Sequence, residues 1–172
     1  MKKNTLAAAR LCAVVGFLAV GVASAAQEAA PLCTDNTRAC MIATARTYFD
    51  AIAAHDGSKV PFAATARRTE QGRDTGNGED TMRSVLDKEP DMSLGETRWF
   101  VDEAQHTVIG FTLLHLTGQN ADPDRPTHPT SGKPTTVHLA ERFKVVDGLI
   151  HEVEAIFYID LGEATGSSGW AD

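Results

Sequence analysis

The sequence predicts an α+β domain in which N-terminal helices pack on one face of an antiparallel sheet. Three observations carry that expectation. Apolar residues recur at three- and four-residue spacing between Thr37 and His55. The period changes to two in four later segments rich in β-branched and aromatic residues. Asp147-Gly148, a dipeptide favoured in two-residue hairpins, stands between two apolar runs.

The chain of 172 residues opens with the three parts of a secretory signal peptide. Lys2, Lys3 and Arg10 form a positive start, Leu11 to Val22 is almost purely apolar, and Ala23-Ser24-Ala25 is a small-x-small cleavage pattern. The apolar run is short for a membrane span, and no second one follows. Cys12 stands at the start of that run rather than its end, which does not suit lipid attachment. Residues 1–25 therefore read as a removed leader, 26–36 as a lead with a disulfide, 37–161 as the domain and 162–172 as a flexible tail. The product is expected in the periplasm or outside the cell.

Cys33 and Cys40 survive cleavage, and in an oxidising compartment they most simply form one disulfide ahead of the first helix. The alternative is a thiol pair doing redox or metal chemistry. Their C-x6-C spacing matches neither C-x-x-C nor a zinc knuckle.

The segment Thr37 to His55 predicts a helix, with Met41, Ile42, Ala45, Tyr48, Phe49 and Ile52 on one face. Asp35, Asn36 and Thr37 offer N-caps and Gly57 a stop. Lys59 to Ala66 predicts a second helical piece, limited by Pro61, and Thr69 to Asp80 a polar, Gly-rich loop. Glu79 to Asp87 predicts a third short helix with Met82, Val85 and Leu86 on one side. Strands are expected at Thr97–Glu103, His106–Thr117, Thr136–Val146 and Leu149–Ile159. Gly118 to Pro134 carries four of the seven prolines and reads as a functional lid or a disordered connection. A strongly curved sheet with a helix across its open side would enclose a pocket.

The formal net charge is −7, and loss of Lys2, Lys3 and Arg10 takes it to about −10. With no cluster of Lys and Arg, the sequence argues against nucleic acid and anionic membrane surfaces as partners. The phosphate-loop, H-E-x-x-H and G-x-S-x-G patterns are absent. Asp122, Asp124 and His128 are poorly spaced for a cation, and no metal or cofactor is expected.

If Val146 faces Leu149 across the turn, paired residue numbers sum to 295, which sets Glu141 opposite Glu154 and Phe143 opposite Glu152. Val137, Leu139, Glu141, Phe143 and Val145 then share one face with Ile150, Glu152, Glu154, Ile156 and Tyr158. Two opposed carboxylates on an apolar face share a proton or find a cation, which suits acid–base work. The other reading makes this the solvent face with both glutamates exposed. The opposite face, with His138, Ala140, Arg142 and Lys144, reads as solvent-facing or as a surface for a second copy in a homodimer. His115 is either a structural histidine or a base. Arg68 could pair with a pocket glutamate or bind an anionic group, or be solvated beside Arg67. Tyr48 could turn its hydroxyl inward, or be core.

Several of these pieces together resemble a known superfamily. They are the Cys33 to Cys40 bracket, the helix stop Ala54-His55-Asp56, the turn Arg67-Arg68-Thr69-Glu70-Gln71-Gly72, and the closing strands from Phe143 to Glu154. In this order they resemble the nuclear-transport-factor-2-like (SnoaL-like) superfamily, and within it a group of secreted domains of uncharacterised function. Gln71 stands where that pattern has Asn, and the proline-rich loop is longer than usual.

The resemblance implies a cone-shaped sheet around a pocket. It also implies a range of functions, since the superfamily includes cofactor-free isomerases, dehydratases, cyclases, epoxide hydrolases and lyases as well as members that only bind ligands. The expected activity is a cofactor-independent lyase or isomerase, working by elimination, isomerisation or retro-aldol cleavage on a small apolar, aromatic molecule. Glu141 and Glu154 would share acid–base duty, Tyr48 or Arg68 would stabilise an oxyanion, and His115 would be a reserve base. Arg68, Glu70, Trp99, Phe143 and Tyr158 are the expected substrate contacts. The rival expectation is a periplasmic binding or stress-response module with the same pocket and no turnover.

Overall fold

The computed structural model describes residues 30–117 and 134–161. The leader, most of the proline-rich loop and the tail read from the sequence lie outside the described residues. Helix α1 spans Arg38–Ala54. The Thr37 hydroxyl caps it, accepting from the Cys40 N–H at 3.3 Å, and His55 ends it with a left-handed φ of 52°. His55 thus takes the stop role expected of Gly57, which instead opens a short 3-10 turn over Gly57–Lys59.

Strand β1 follows at Phe62–Glu70 and strand β2 at Arg73–Asn77. Both correct the sequence reading, which made the first helical and the second a loop. Ala63, Ala64 and Ala66 favour helix locally. Over the second half of the segment, however, Ala66 and Arg68 are buried while Thr65 and Arg67 are exposed, which is the alternation of a strand. Pairing with the last strand outweighs the alanines' preference. The turn between β1 and β2 places Gln71 and Gly72 at φ 48° and 75°, the two positive values of a type I′ hairpin.

Helix α2 covers Glu79–Leu86 and buries Met82 and Leu86, with Val85 half-buried. Then come β3 at Met92–Leu94, β4 at Arg98–Asp102, β5 at Thr107–Leu116, β6 at Thr135–Val146 and β7 at Leu149–Leu161. Strand β3 was not anticipated. It is three residues long and pairs with the end of β5, while β4 pairs with the start of the same strand.

The sheet runs β2-β1-β7-β6-β5-β3, with β4 also on β5. It is mixed rather than antiparallel, because β1 and β7 run parallel. A parallel pair needs a long crossover, and here the chain from β2 to β6 supplies it. Helix α1 lies across the inner face, burying Met41, Ala45, Tyr48, Phe49 and Ile52 against Phe62, Val108, Phe143 and Val153. Gly110 permits this approach, since a Cβ there would stand 2.8 Å from a Phe49 ring carbon and 2.9 Å from Trp99.

The β6–β7 hairpin turns at Asp147-Gly148 as expected, with Val146 opposite Leu149 and Val145 opposite Ile150. The register then shifts: Lys144 pairs with Glu152, leaving His151 as the extra residue of a bulge. Beyond it, every residue of β7 takes the face opposite to the one simple pairing assigns. Val153, Ala155, Phe157 and Ile159 turn inward, and Glu152, Glu154, Ile156 and Tyr158 turn outward.

Cys33 and Cys40 are joined in a disulfide with Cα atoms 5.7 Å apart. The loop it closes rests on the hairpin. Asn36 donates to the Asp147 carboxylate at 2.8 Å and accepts from the Asp147 N–H at 2.7 Å. A Cβ on Gly148 would stand 1.8 Å from the Cys33 carbonyl oxygen, whereas one on Gly72 would meet nothing within 4 Å. Both glycines have positive φ, so alanine strains each by about 1 kcal/mol. Gly148→Ala adds a backbone clash and is expected to lose about 1–3 kcal/mol more than Gly72→Ala in urea unfolding. Equal losses would show that the disulfide loop is not held against the hairpin.

Candidate active site

Between α1 and the inner face of the sheet lies a cavity of about 250 Å³. The strand registers order its walls in levels. Glu141 is level with Gly110 and Ala155, Leu139 with Thr112 and Phe157, and Val137 with Leu114 and Ile159. Ile52 from α1 and Met92 from β3 complete an apolar lining, into which Arg68, Glu70, Glu89 and Glu141 bring polar groups.

Arg68 is 4 % exposed and hydrogen-bonded through all three nitrogens. Its Nε donates to the Tyr48 hydroxyl at 2.7 Å, one terminal nitrogen to Thr75 at 3.1 Å, and the other to Glu70 at 2.5 Å. Burial opposes the charge, but the hydrogen bond to Tyr48 and the ion pair with Glu70 outweigh it, and the guanidinium stays cationic. Tyr48 is fully buried, and burial keeps its phenol neutral despite the nearby arginine. Since its oxygen accepts from Arg68, its own proton is left for Glu141, to which it is hydrogen-bonded.

Glu141 is 1 % exposed, and its Oε2 has no hydrogen-bond partner among the described residues. Burial pushes its pKa up from 4.5 to about 8. Arg68 and the Tyr48 hydrogen bond pull the other way, while Glu70 and Glu89 add to the rise. At neutral pH the side chain is therefore mainly a carboxylic acid, able to give a proton inside an apolar cavity.

The structure thus brings together Tyr48, Arg68, Glu70 and Glu141 from the sequence reading. It separates the others. Glu154 is not opposite Glu141 but opposite Arg142, because the bulge at His151 reverses its face. It lies outside the cavity, accepting from Arg142 at 2.8 Å, with Glu152 accepting from the same guanidinium at 2.9 Å. The expected carboxylate pair therefore does not form. Tyr158 is on the outer face and 66 % exposed for the same reason.

His115 faces away from Leu114 and Leu116, which line the cavity, and sits 3.3 Å from the Thr136 hydroxyl. Trp99 packs on Phe49 with ring centroids 5.5 Å apart, and Phe143 is fully buried between Tyr48 and Phe49. Both belong to the packed core beside the cavity rather than to its lining. Glu89 and Thr75 were missed, since one follows a short helix and the other lies in a strand read as loop. The only grouping of potential metal ligands among the described residues is Cys33, Asp35 and Cys40, whose two sulfurs are bonded to each other. No helix among the described residues is long and apolar enough to cross a membrane.

A family described as "Domain of unknown function (DUF8021)" matches residues 34–157. No curated protein matches the chain by sequence. Among solved structures, the epoxide hydrolase/cyclase-like enzyme SalBIII, which has a role in pyran ring formation in salinomycin, aligns with a TM-score of 0.60 at 13% identity over 73% of this chain and 98% of its own. An LEH-like epoxide hydrolase from M. tuberculosis aligns at 0.53 and 15% identity over 69% and 82%. A putative isomerase from Bacillus subtilis aligns at 0.53 and 12% identity over 69% and 86%. At these identities the likeness shows the fold alone, a helix packed across a curved mixed sheet.

The raised pKa of Glu141 has a sign that can be checked. Between pH 4.5 and about 8 the folded protein holds a proton there that the unfolded chain has lost, so this residue's contribution to stability falls as pH rises. Below that window the contribution is fully present, and above it no further loss follows. Glu141→Gln removes the effect. The stability of the variant relative to the unsubstituted protein should therefore climb across the window, by on the order of a few kcal/mol, and then level off. A difference that stays flat from about pH 5 to about pH 8 would mean that Glu141 titrates normally.

Proposed function

The chain belongs to the DUF8021 family, and we propose that it is a cofactor-independent acid–base enzyme, an isomerase or lyase acting on a small, apolar, oxygen-bearing molecule. The observation that carries this reading is the buried Glu141 acid, which lines an apolar cavity and whose Oε2 has no partner among the described residues. A cavity of about 250 Å³ is at the small end for organic ligands, which commonly occupy roughly 300–1,000 Å³. The apolar walls would hold the hydrocarbon part and leave one polar end to meet Glu141.

In this mechanism Glu141 gives its proton to a carbonyl or ether oxygen as that oxygen becomes basic. Tyr48 holds the carboxyl in place from its other side and links it to the charge of Arg68, which stabilises the carboxylate left on Glu141 once its proton has gone. Glu70, which lines the cavity and is ion-paired to Arg68, would take the proton from carbon. Glu154, His115, Trp99, Phe143 and Tyr158 have no part in it. The export leader and a periplasmic or secreted location belong to the same reading, supported by the Cys33–Cys40 disulfide. A homodimer would use the outer sheet face, where Phe100, Phe111, Ile156 and Tyr158 are exposed.

The test is deuterium exchange from D2O into a panel of small cyclic ketones and enones, followed by NMR. The protein should accelerate exchange for at least one member, and Glu141→Gln should lower that rate about a hundredfold or more while circular dichroism stays unchanged. Panel members that bind without any exchange above the protein-free rate would overturn the enzyme reading in favour of a binding module.

A further inference from the structure

The cavity's polar lining is lopsided in charge. Among the described residues, Glu70, Glu89 and Glu141 contribute three carboxyl groups and Arg68 the single cationic side chain. That cation is already engaged. Each of its nitrogens donates within the protein, to Tyr48, Thr75 and Glu70. An anionic ligand would enter a low-dielectric space among carboxyl groups and find the guanidinium occupied, so like-charge repulsion disfavours it.

The bare atom in the cavity is a carboxyl oxygen, which becomes an acceptor once its proton leaves. Glu141 is 1 % exposed, and its Oε2 is unpartnered among the described residues. Once ionised, it offers a desolvated negative oxygen in a space shared with Glu70 and Glu89, under apolar walls formed by residues such as Leu139, Val137 and Phe157. A positively charged donor with a short hydrocarbon body complements both features.

We infer that the cavity is a binding site for small apolar ammonium ions, with the Glu141 carboxylate as counter-ion and the Glu141 proton leaving to solvent as the ligand enters. The protonation balance is simple: the carboxylic acid and the ammonium become a carboxylate–ammonium pair, and buffer takes the released proton. The groups facing Glu141 come from every packed element. Tyr48 approaches from α1, Arg68 and Glu70 from β1, and Glu89 from the segment after α2. Strands β5 and β7 place only Gly110 and Ala155 at its level. This inference uses the same cavity as the proposed enzyme but does not depend on turnover.

Isothermal titration calorimetry with benzylammonium, benzyl alcohol and benzoate tests it, because the three share a ring and differ in charge. At pH 7 benzylammonium should bind at least about tenfold more tightly than benzyl alcohol, and benzoate should show no binding. Repeating the titration in phosphate and in Tris, which differ in ionisation enthalpy, should reveal release of about one proton per site. Glu141→Gln should abolish the proton release and bring the ammonium down to the affinity of the alcohol. Glu89→Gln should weaken ammonium binding by a smaller factor and leave the alcohol unchanged, which provides a second readout if the first variant folds poorly. Benzoate binding, an alcohol as tight as the ammonium, absence of proton release, or no binding of any of the three would each overturn the inference. The ketone exchange experiment reads turnover on neutral compounds, so either result can fail while the other stands.

Discussion

The buried guanidinium of Arg68 is the constraint around which the inner face is arranged. An unpaired cation at that depth would cost several kcal/mol, so the fold surrounds it with acceptors from separate elements. Tyr48 comes from α1, Thr75 from β2 and Glu70 from β1 itself. These bonds fix the height of α1 over the sheet and the placement of the β1–β2 hairpin at the same time. With α1 set by Tyr48, the next residue, Phe49, lands over Gly110, where a glycine leaves room for its ring. The apolar core and the polar cluster are therefore one packing problem. Burial supplies most of the stabilisation, and the arginine selects which arrangement of the helix is allowed.

A single residue decides what faces the cavity from the last strand. The Asp147-Gly148 turn and its first two pairs were legible in the sequence, because turn chemistry sets the local register. His151 then bulges, and the alternation rule carried past it assigns β7 to the wrong face from Glu152 onward. Nothing in a period-two pattern marks the bulge. Residues 150–159 alternate plausibly either way, with Glu152 and Glu154 in one set and Val153 and Ala155 in the other. Burial of Val153 and Ala155 in the core settles the choice, and that contact is long-range. The inward face of Glu141 was legible because β6 runs through the same stretch in unbroken register with β5.

The other boundary between legible and hidden features follows the range of the forces. The Thr37 cap and span of α1, the disulfide and α2 depend on neighbours within a few residues, and all were readable. Strand β1 depends on Phe62 pairing with Ile150 and Arg67 with Glu152, at the far end of the chain, and its alanines suggested helix instead. The β1–β2 hairpin was obscured more simply, because Gln71 occupies a left-handed position that Asn or Asp advertises more plainly. Tyr48 and Arg68 were each singled out, but their direct bond is a property of the assembled fold.

The two faces of the sheet show how environment, more than residue type, makes a site. Arg142 and Glu154 oppose each other on the outer face, while Arg68 and Glu141 share the cavity on the inner one. Outside, water screens the charges, and cross-strand ion pairs of this kind contribute about 0–1 kcal/mol. Inside, the same functional groups compete for too few counter-charges: Glu70 already neutralises Arg68, so ionising Glu141 would add a further negative charge in a space it shares with Glu70 and Glu89. Holding a proton costs less than holding that charge without water. Burial thus keeps the acid neutral against the pull of Arg68, with Glu70 and Glu89 adding to its effect. A ligand that alters that balance, by bringing a positive charge or by developing negative charge on oxygen, changes where the proton rests. Both proposed uses of the cavity depend on that coupling between the charge of what enters and the proton on Glu141.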